Sequence, residues 1–187
     1  WSMNSQTAFQ HNDGSVEVDQ DYSPRDIFAV KMPHRQNQVS QEFTLRSTND
    51  SRYQWIVGAF GFHQQDHFTV YTTRIASKLY EVNQNKLPTM GFAFYHVSTF
   101  NIVKGLWASA GIRFDWEKNS LKNFSKKIKL TDPNEPPILK PLDPKDGWQI
   151  TGFDASRIDR QITPKFTLKY QFTPFRMIYA TVAKGYK

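Results

Sequence analysis

Leu106-Trp-Ala-Ser-Ala-Gly-Ile-Arg-Phe-Asp-Trp116 alternates along its whole length. Leu106, Ala108, Ala110, Ile112, Phe114 and Trp116 make one wholly apolar face, and Trp107, Ser109, Gly111, Arg113 and Asp115 make the other. Successive side chains of a strand point to opposite sides, so this period of two marks a β-strand with one greasy and one polar side. Two further segments repeat the pattern. In 38–46, Val39, Phe43 and Leu45 oppose Ser40, Glu42, Thr44 and Arg46, with Gln41 the exception on the apolar side. In 165–172, Phe166, Leu168, Tyr170 and Phe172 oppose Lys165, Thr167, Lys169 and Gln171. The segments 52–65 and 89–99 are apolar on both sides, through Tyr53, Trp55 and Val57 against Ile56, Phe60 and Phe62, and through Phe92 and Phe94 against Tyr95 and Val97. Alternation assigns no outward face there.

Working outward, seven strands are expected, near 1–11, 37–47, 52–65, 89–99, 105–117, 160–172 and 176–187. Most match the roughly 9–11 residues that a tilted strand needs to cross a bilayer. Their connections alternate. Residues 47–51, 100–104 and 172–175 are short links, while 12–36, 66–88 and 118–159 are long ones. Short turns on one rim and long loops on the other are the pattern of an outer-membrane barrel. The last long link holds five of the ten prolines, Pro133, Pro136, Pro137, Pro141 and Pro144, and is expected to be the least ordered. Trp116 falls at the long-loop rim, and Trp107, Phe172 and Phe175 fall near the short-turn rim, where aromatic girdles are expected. The expected fold class is therefore all-β, an antiparallel up-and-down meander, with 1–187 forming a partial barrel domain.

Composition agrees. Hydrophobic residues make up 39% of the chain and aromatic residues 15%. A few large side chains thus carry the apolar surface, which suits thin strands better than a thick helical core. The longest apolar run, Trp55 to Phe62, is far short of the ~18 residues of a membrane helix, so a membrane-spanning chain of this kind has to be a barrel. The first residues, Trp1-Ser-Met-Asn-Ser-Gln6, lack the basic start and apolar stretch of a signal peptide. No cysteine is present, which excludes disulfides and thiolate metal sites. The net charge of +7 fits solubility, lipid phosphate or an anionic ligand. Its densest patch, Lys122, Lys126, Lys127 and Lys129, lies beside the proline-rich link and forms no recognition helix, so nucleic acid is not expected as a partner.

Four stretches resemble one family in order and spacing. Ser40-Gln-Glu-Phe-Thr-Leu-Arg-Ser47 resembles the SQE-bearing barrel strand of TonB-dependent outer-membrane receptors. Trp55-Ile-Val-Gly-Ala-Phe-Gly-Phe62 is similar to their W-x-x-G-x-F/Y strand, and Ala108-Ser-Ala-Gly-Ile-Arg-Phe-Asp115 to their T-x-G-x-R-Y/F-D strand. Ile162-Thr-Pro-Lys-Phe-Thr-Leu-Lys-Tyr170 with Tyr179-Ala-Thr-Val-Ala-Lys-Gly-Tyr-Lys187 resembles their PK-x-x-L-x-Y … VYATVAKGYK hairpin. The likeness runs from Gln38 to Lys187, leaving the long loops unmatched. It implies a segment of a 22-stranded barrel in a bacterial outer membrane, with an N-terminal plug that this stretch does not contain. It also implies import of a scarce nutrient, such as an iron chelate, a vitamin or a glycan. The implied partners are outer-membrane lipid, the plug and remaining barrel strands, the small-molecule or oligosaccharide ligand, and the TonB complex through the plug. A soluble antiparallel β binding module and a passive outer-membrane channel without a plug stay open as alternatives.

Under the barrel reading, Glu42, Arg46, Ser109, Arg113, Asp115, Lys165 and Lys169 are expected to face the lumen. Phe43, Leu45, Ala110, Ile112, Phe114, Trp116, Phe166, Leu168 and Tyr170 are expected to face lipid. Ligand-binding residues are not identifiable, because the loops that would choose a ligand match nothing. His63 and His67 have the i, i+4 spacing of a helical zinc pair, but they leave a strand and lack the protease glutamate, so exposed polar residues are expected. Asp13, Glu17, Asp19 and Asp21 alternate without the glycine and terminal glutamate of a calcium loop, and read as a solvated acidic stretch. No serine–histidine or paired-carboxylate arrangement argues for catalysis, and no cofactor is expected.

Overall fold

The computed structural model describes residues 1–22, 24, 27–49, 51–74, 79–129 and 150–185. Among these, seven strands occur and no helix: β1 (Ser2–Asp19), β2 (Phe28–Arg46), β3 (Tyr53–Arg74), β4 (Leu79–Val103), β5 (Leu106–Lys129), β6 (Ile150–Thr173) and β7 (Arg176–Ala183). They form one sheet in the order β1-β2-β3-β4-β5-β6-β7, and every neighbouring pair is antiparallel. The meander follows from the connections. A short turn can only return the chain beside the strand it has just left.

The short turns are where the sequence puts them, with one shift. β4 and β5 are joined by Lys104-Gly105 rather than within 100–104. Gly105 has φ +85°, and a Cβ there would lie 2.7 Å from the Gln171 carbonyl oxygen. A two-residue hairpin with a positive φ demands glycine at that place. The ladder slips by one residue beside this turn, between Asn101 and Val103, and again beside the Pro174-Phe175 turn.

The long links differ more. The stretches 12–36, 66–88 and 118–159 were expected as loops, yet β1 runs to Asp19, β2 starts at Phe28, β3 runs to Arg74, β4 starts at Leu79, β5 runs to Lys129 and β6 starts at Ile150. The ladder continues because backbone pairing does not need an apolar face. Polar side chains satisfy one another across it instead, as when the Asn123 amide donates to Asn85 Oδ1 at 2.7 Å and Thr89 donates to Asn119 Oδ1 at 2.9 Å. The five loop prolines lie outside the described residues, so the expected disorder of 118–159 is addressed only at its two ends, which are strand. Pro33 and Pro88 sit inside strands. The β2/β3 ladder omits Met32 and Pro33, and the β4/β5 ladder omits Leu87 and Pro88, in keeping with the donor that proline lacks.

β3 to β6 hold 22, 25, 24 and 24 residues, at least twice the ~9–11 that span a bilayer. One sheet alone has little core. Val30, Tyr80, Val82 and Ala93 are the buried apolar residues among those described, whereas Ile112 is 53% exposed, Phe94 56% and Phe166 51%. A face of that kind stays out of water only if something else covers it.

Candidate functional site

Register decides which side chains share a side, since directly paired residues of antiparallel strands project the same way. Glu42 pairs with Phe60, Phe60 with Ala93, Ala93 with Asp115 and Asp115 with Gln161. By this rule Glu42, Arg46, Ser109, Arg113, Asp115, Lys165 and Lys169 all fall on one face. Phe43, Leu45, Ala110, Ile112, Phe114, Trp116, Phe166, Leu168 and Tyr170 fall on the opposite face. The two sets of candidates therefore never mix.

Near mid-strand, the polar face is organised by Tyr95 of β4. Tyr95 stands directly opposite Gly58 of β3, and its ring lies across that glycine: a Cβ at Gly58 would sit 2.1 Å from Tyr95 Cζ. With the way clear, the Tyr95 hydroxyl reaches over β3 to β2. It donates to Glu42 Oε1 at 2.8 Å and lies 3.0 Å from Thr44 Oγ1. A strand glycine covered by a cross-strand aromatic is a known way of pinning register. Phe62 covers Gly91 in the same manner, with Cε1 2.7 Å from the place a Cβ would take. These two interlocks give Phe62 and Tyr95, members of the second apolar faces of 52–65 and 89–99, a place in the sheet.

Beside Tyr95, Arg113 Nε donates to Asp115 Oδ1 at 2.8 Å and Oδ2 at 3.0 Å, and its Nη2 lies 2.8 Å from Oδ1. Ser109 meets Thr99 at 2.9 Å, and Thr167 meets Thr181 at 2.9 Å. Glu42, Tyr95, Ser109, Arg113, Thr163 and Lys165 line an open hollow of about 580 Å³. Of the expected lumen set, Glu42, Ser109, Arg113 and Lys165 thus come together, with Asp115 held by Arg113. Arg46 and Lys169 lie apart toward the short-turn end, where Arg46 Nε donates to Ser2 Oγ at 2.9 Å and Lys169 Nζ stands 5.4 Å from the centre of the Trp107 ring. Such a surface can hold polar or charged groups through hydrogen bonds. It contains no nucleophile–base pair. Sequence reading missed Tyr95 and Thr44. The usable signal was Gly58, because a glycine inside a strand marks a close approach.

The opposite face is plain by comparison. Phe43, Leu45, Val57, Phe94, Ile112 and Phe114 line a shallow apolar hollow of about 480 Å³. Polar members of this face such as Gln41 and His96 are satisfied within the sheet: Gln41 bonds the Thr7 hydroxyl and its amide donates to Ser5 Oγ at 2.9 Å, and His96 Nε2 lies 2.8 Å from Ser98 Oγ. The histidine pair cannot share a metal ion. His63 and His67 point the same way from β3, but four strand residues separate them by roughly 13 Å. The acidic stretch is partnered: Asp13 accepts from Arg35 at 2.9 Å, Glu17 pairs with Lys31, and Asp21 Oδ2 accepts from the Ile27 and Phe28 amides at 2.8 Å.

Comparison with known proteins places this arrangement. A family model described as the TonB-dependent receptor-like β-barrel matches residues 1–187. No curated protein sequence matches the chain. Among solved structures, the ferric yersiniabactin uptake receptor FyuA from Yersinia pestis is similar over 96% of the chain, with a TM-score of 0.70 at 17% identity. The ferric citrate transporter FecA is similar over 97%, with a TM-score of 0.57 at 13% identity. The alcaligin outer-membrane receptor FauA from Bordetella pertussis is similar over 95%, with a TM-score of 0.51 at 12% identity. The chain spans 24%, 33% and 25% of those three proteins, respectively.

Proposed function

The chain belongs to the family of TonB-dependent receptor β-barrels, and from that premise we propose that it forms part of the wall of an outer-membrane importer for a scarce nutrient. The observation that carries the reading is the division of β2, β5 and β6 into two sides. Glu42, Arg113 and Lys165 fall on one side and the exposed Phe43, Ile112 and Phe166 on the other, while β3 and β4 add apolar groups to both. A wall between lipid and a wet lumen requires that division, and unpaired backbone is not tolerated in a bilayer, so further strands complete the barrel. In this reading Ile112, Phe114, Phe166 and their face meet lipid. Glu42, Tyr95, Arg113 and Lys165 meet a plug or a passing ligand. The TonB complex acts through the plug, and residues 1–187 are one portion of a 22-stranded barrel.

An iron chelate is the first ligand class to try, because the similar structures are named for ferric yersiniabactin, alcaligin and ferric citrate. The test is growth under iron limitation of a strain deleted for the full-length receptor, fed a panel of ferric chelates, with vitamins and oligosaccharides in parallel. Loss of growth on one ligand, restored by the intact receptor, is expected. Uptake that persists after removal of TonB would leave a passive channel as the better reading.

A further inference from the structure

We propose that the half of the polar face nearest the long links is a binding wall for an uncharged ligand rich in hydroxyl or amide groups. This rests on the importer reading and on the assignment of that face to the lumen. Beyond Glu42, Phe60, Ala93 and Asp115, toward the long links, β2 to β5 bring Gln36, Gln38, Gln64, Asn85, Asn119 and Asn123 to that face. All six are half-buried, neither sealed in nor free of the sheet. A carboxamide offers two donors and two acceptor lone pairs. Bonds within the sheet use only part of that capacity. The Asn123 amide donates to Asn85 Oδ1 at 2.7 Å, Thr89 donates to Asn119 Oδ1 at 2.9 Å, and the Gln64 amide donates to Asp66 Oδ2 at 2.8 Å. Among the described residues, the Asn85 nitrogen and the Asn123 oxygen have no side-chain partner, so the central pair presents both a donor and an acceptor to a guest.

The same stretch is poor in charge, although the chain carries +7. On the polar face of β2 to β5, between Glu42 and Asp115 at one end and Arg74, Glu81 and Ser125 at the other, the ionisable groups are His34, Asp66 and Glu117. No lysine or arginine is among them. The opposite face of the same rungs carries Lys31, Arg35, Lys86, Lys118 and Lys122. An anionic guest on this wall therefore meets two carboxylates and no lysine or arginine to pair with, and is repelled. An uncharged guest meets amides, which serve donors and acceptors alike. The aromatic rings fit the same guest. Phe68, Asn85, Asn123 and Phe153 lie on one rung across β3 to β6. Two phenyl rings thus bracket the amide pair over three strand spacings, roughly 14 Å. Phe153 is 56% exposed. Such a rung suits a molecule with C–H faces between its polar groups, as in a sugar ring or the amide-linked backbone of an uncharged chelate.

The experiment measures binding to the full-length receptor in uncharged detergent micelles. Three probes are compared: a neutral maltodextrin, an uncharged ferric trihydroxamate, and ferric citrate as the anion. One of the two neutral probes is expected to bind, and which one does tells a sugar from a chelate. The double variant N85A/N123A should bind it about 10-fold more weakly, from the loss of about two hydrogen bonds. Gln65→Ala, on the other side of β3, should leave binding unchanged. Asn123→Lys places a cation at the centre of the wall, and should weaken the neutral probe while giving ferric citrate an affinity it lacks in the wild type. That gain keeps the test open should the double variant fail to fold, and a merely structural role for Asn123 would not produce it. Ferric citrate bound by the wild type as tightly as either neutral probe, no binding of either neutral probe, or unchanged affinity in N85A/N123A overturns the proposal. Dependence on TonB separates the two layers of inference. TonB-dependent uptake of the anion alone defeats the uncharged ligand and leaves the importer. Binding of a neutral probe whose uptake persists without TonB defeats the importer and leaves the wall.

Discussion

Single residues on this sheet act by what they allow across the strands. Gly58 is the example, since its missing side chain is what lets Tyr95 reach Glu42. Gly58→Ala should push the ring aside and cost about 1–3 kcal/mol, the usual range for overpacking. The check is the urea midpoint of the refolded full-length receptor. Combining it with Tyr95→Phe should cost less than the sum of the two, because both remove the same bond. The faces can be tested directly as well. Under the lipid-face proposal, Ile112→Arg places a charge in hydrocarbon at about 2–4 kcal/mol. Ser109→Arg, on the other face beside Thr99, should be milder. Refolding both variants into bilayers and into detergent reads this out. If Ser109→Arg is the more damaging, the faces are reversed. Glu42 and Arg113 were legible in the sequence because alternation alone sorts residues into two sides. Tyr95 was not, because its role depends on which residue of β3 it meets, and register is invisible in the pattern of any one strand.

At the scale of elements, the half of each strand from β1 to β6 nearest the short turns was legible and the far half was not. Segments such as Asn83-Gln-Asn85 and Asn119-Ser-Leu-Lys-Asn123 carry the residues of turns, and no apolar periodicity marks them. They remain strand because each finds a partner on a neighbour already held in register. Two elements make checkable predictions. At the β4–β5 turn, Gly105→Ala forces a side chain into a left-handed conformation and against the Gln171 carbonyl. A loss of about 1–2 kcal/mol is expected, seen as a lower unfolding midpoint. At the far tip of β4, well past the apolar band, Tyr80 is buried beside Tyr71 and its hydroxyl has no hydrogen-bond partner among the described residues. Burial pushes that hydroxyl up to about 12, and repulsion from Tyr71 adds to it. Because the folded value is raised, the neutral phenol's contribution is complete below the ordinary value near 10 and is lost as pH climbs toward 12. Melting of the receptor between about pH 10 and 12 should therefore fall, and Tyr80→Phe should flatten that part of the curve.

Taken whole, the sheet has two open edges, since β1 pairs only with β2 and β7 only with β6. Bare edges and an exposed apolar side predict that residues 1–187 expressed alone will aggregate in water and disperse in detergent. Light scattering on the purified segment decides it. A soluble monomer with a cooperative melt would contradict the membrane wall. The unbroken meander has a further consequence, for what a genome can change. Each strand pairs its backbone only with its neighbours in sequence. A whole hairpin can be gained or lost while every other residue keeps its side, as though the unit of inheritance were a pair of strands. A single-residue deletion between Leu106 and Trp116 is the harsher event, because it turns the rest of that strand inside out, presenting Arg113 and Asp115 where Ile112 and Phe114 had been. Length can therefore drift freely at the loop tips and in steps of two strands, while within a strand the count of residues is held almost as tightly as a reading frame.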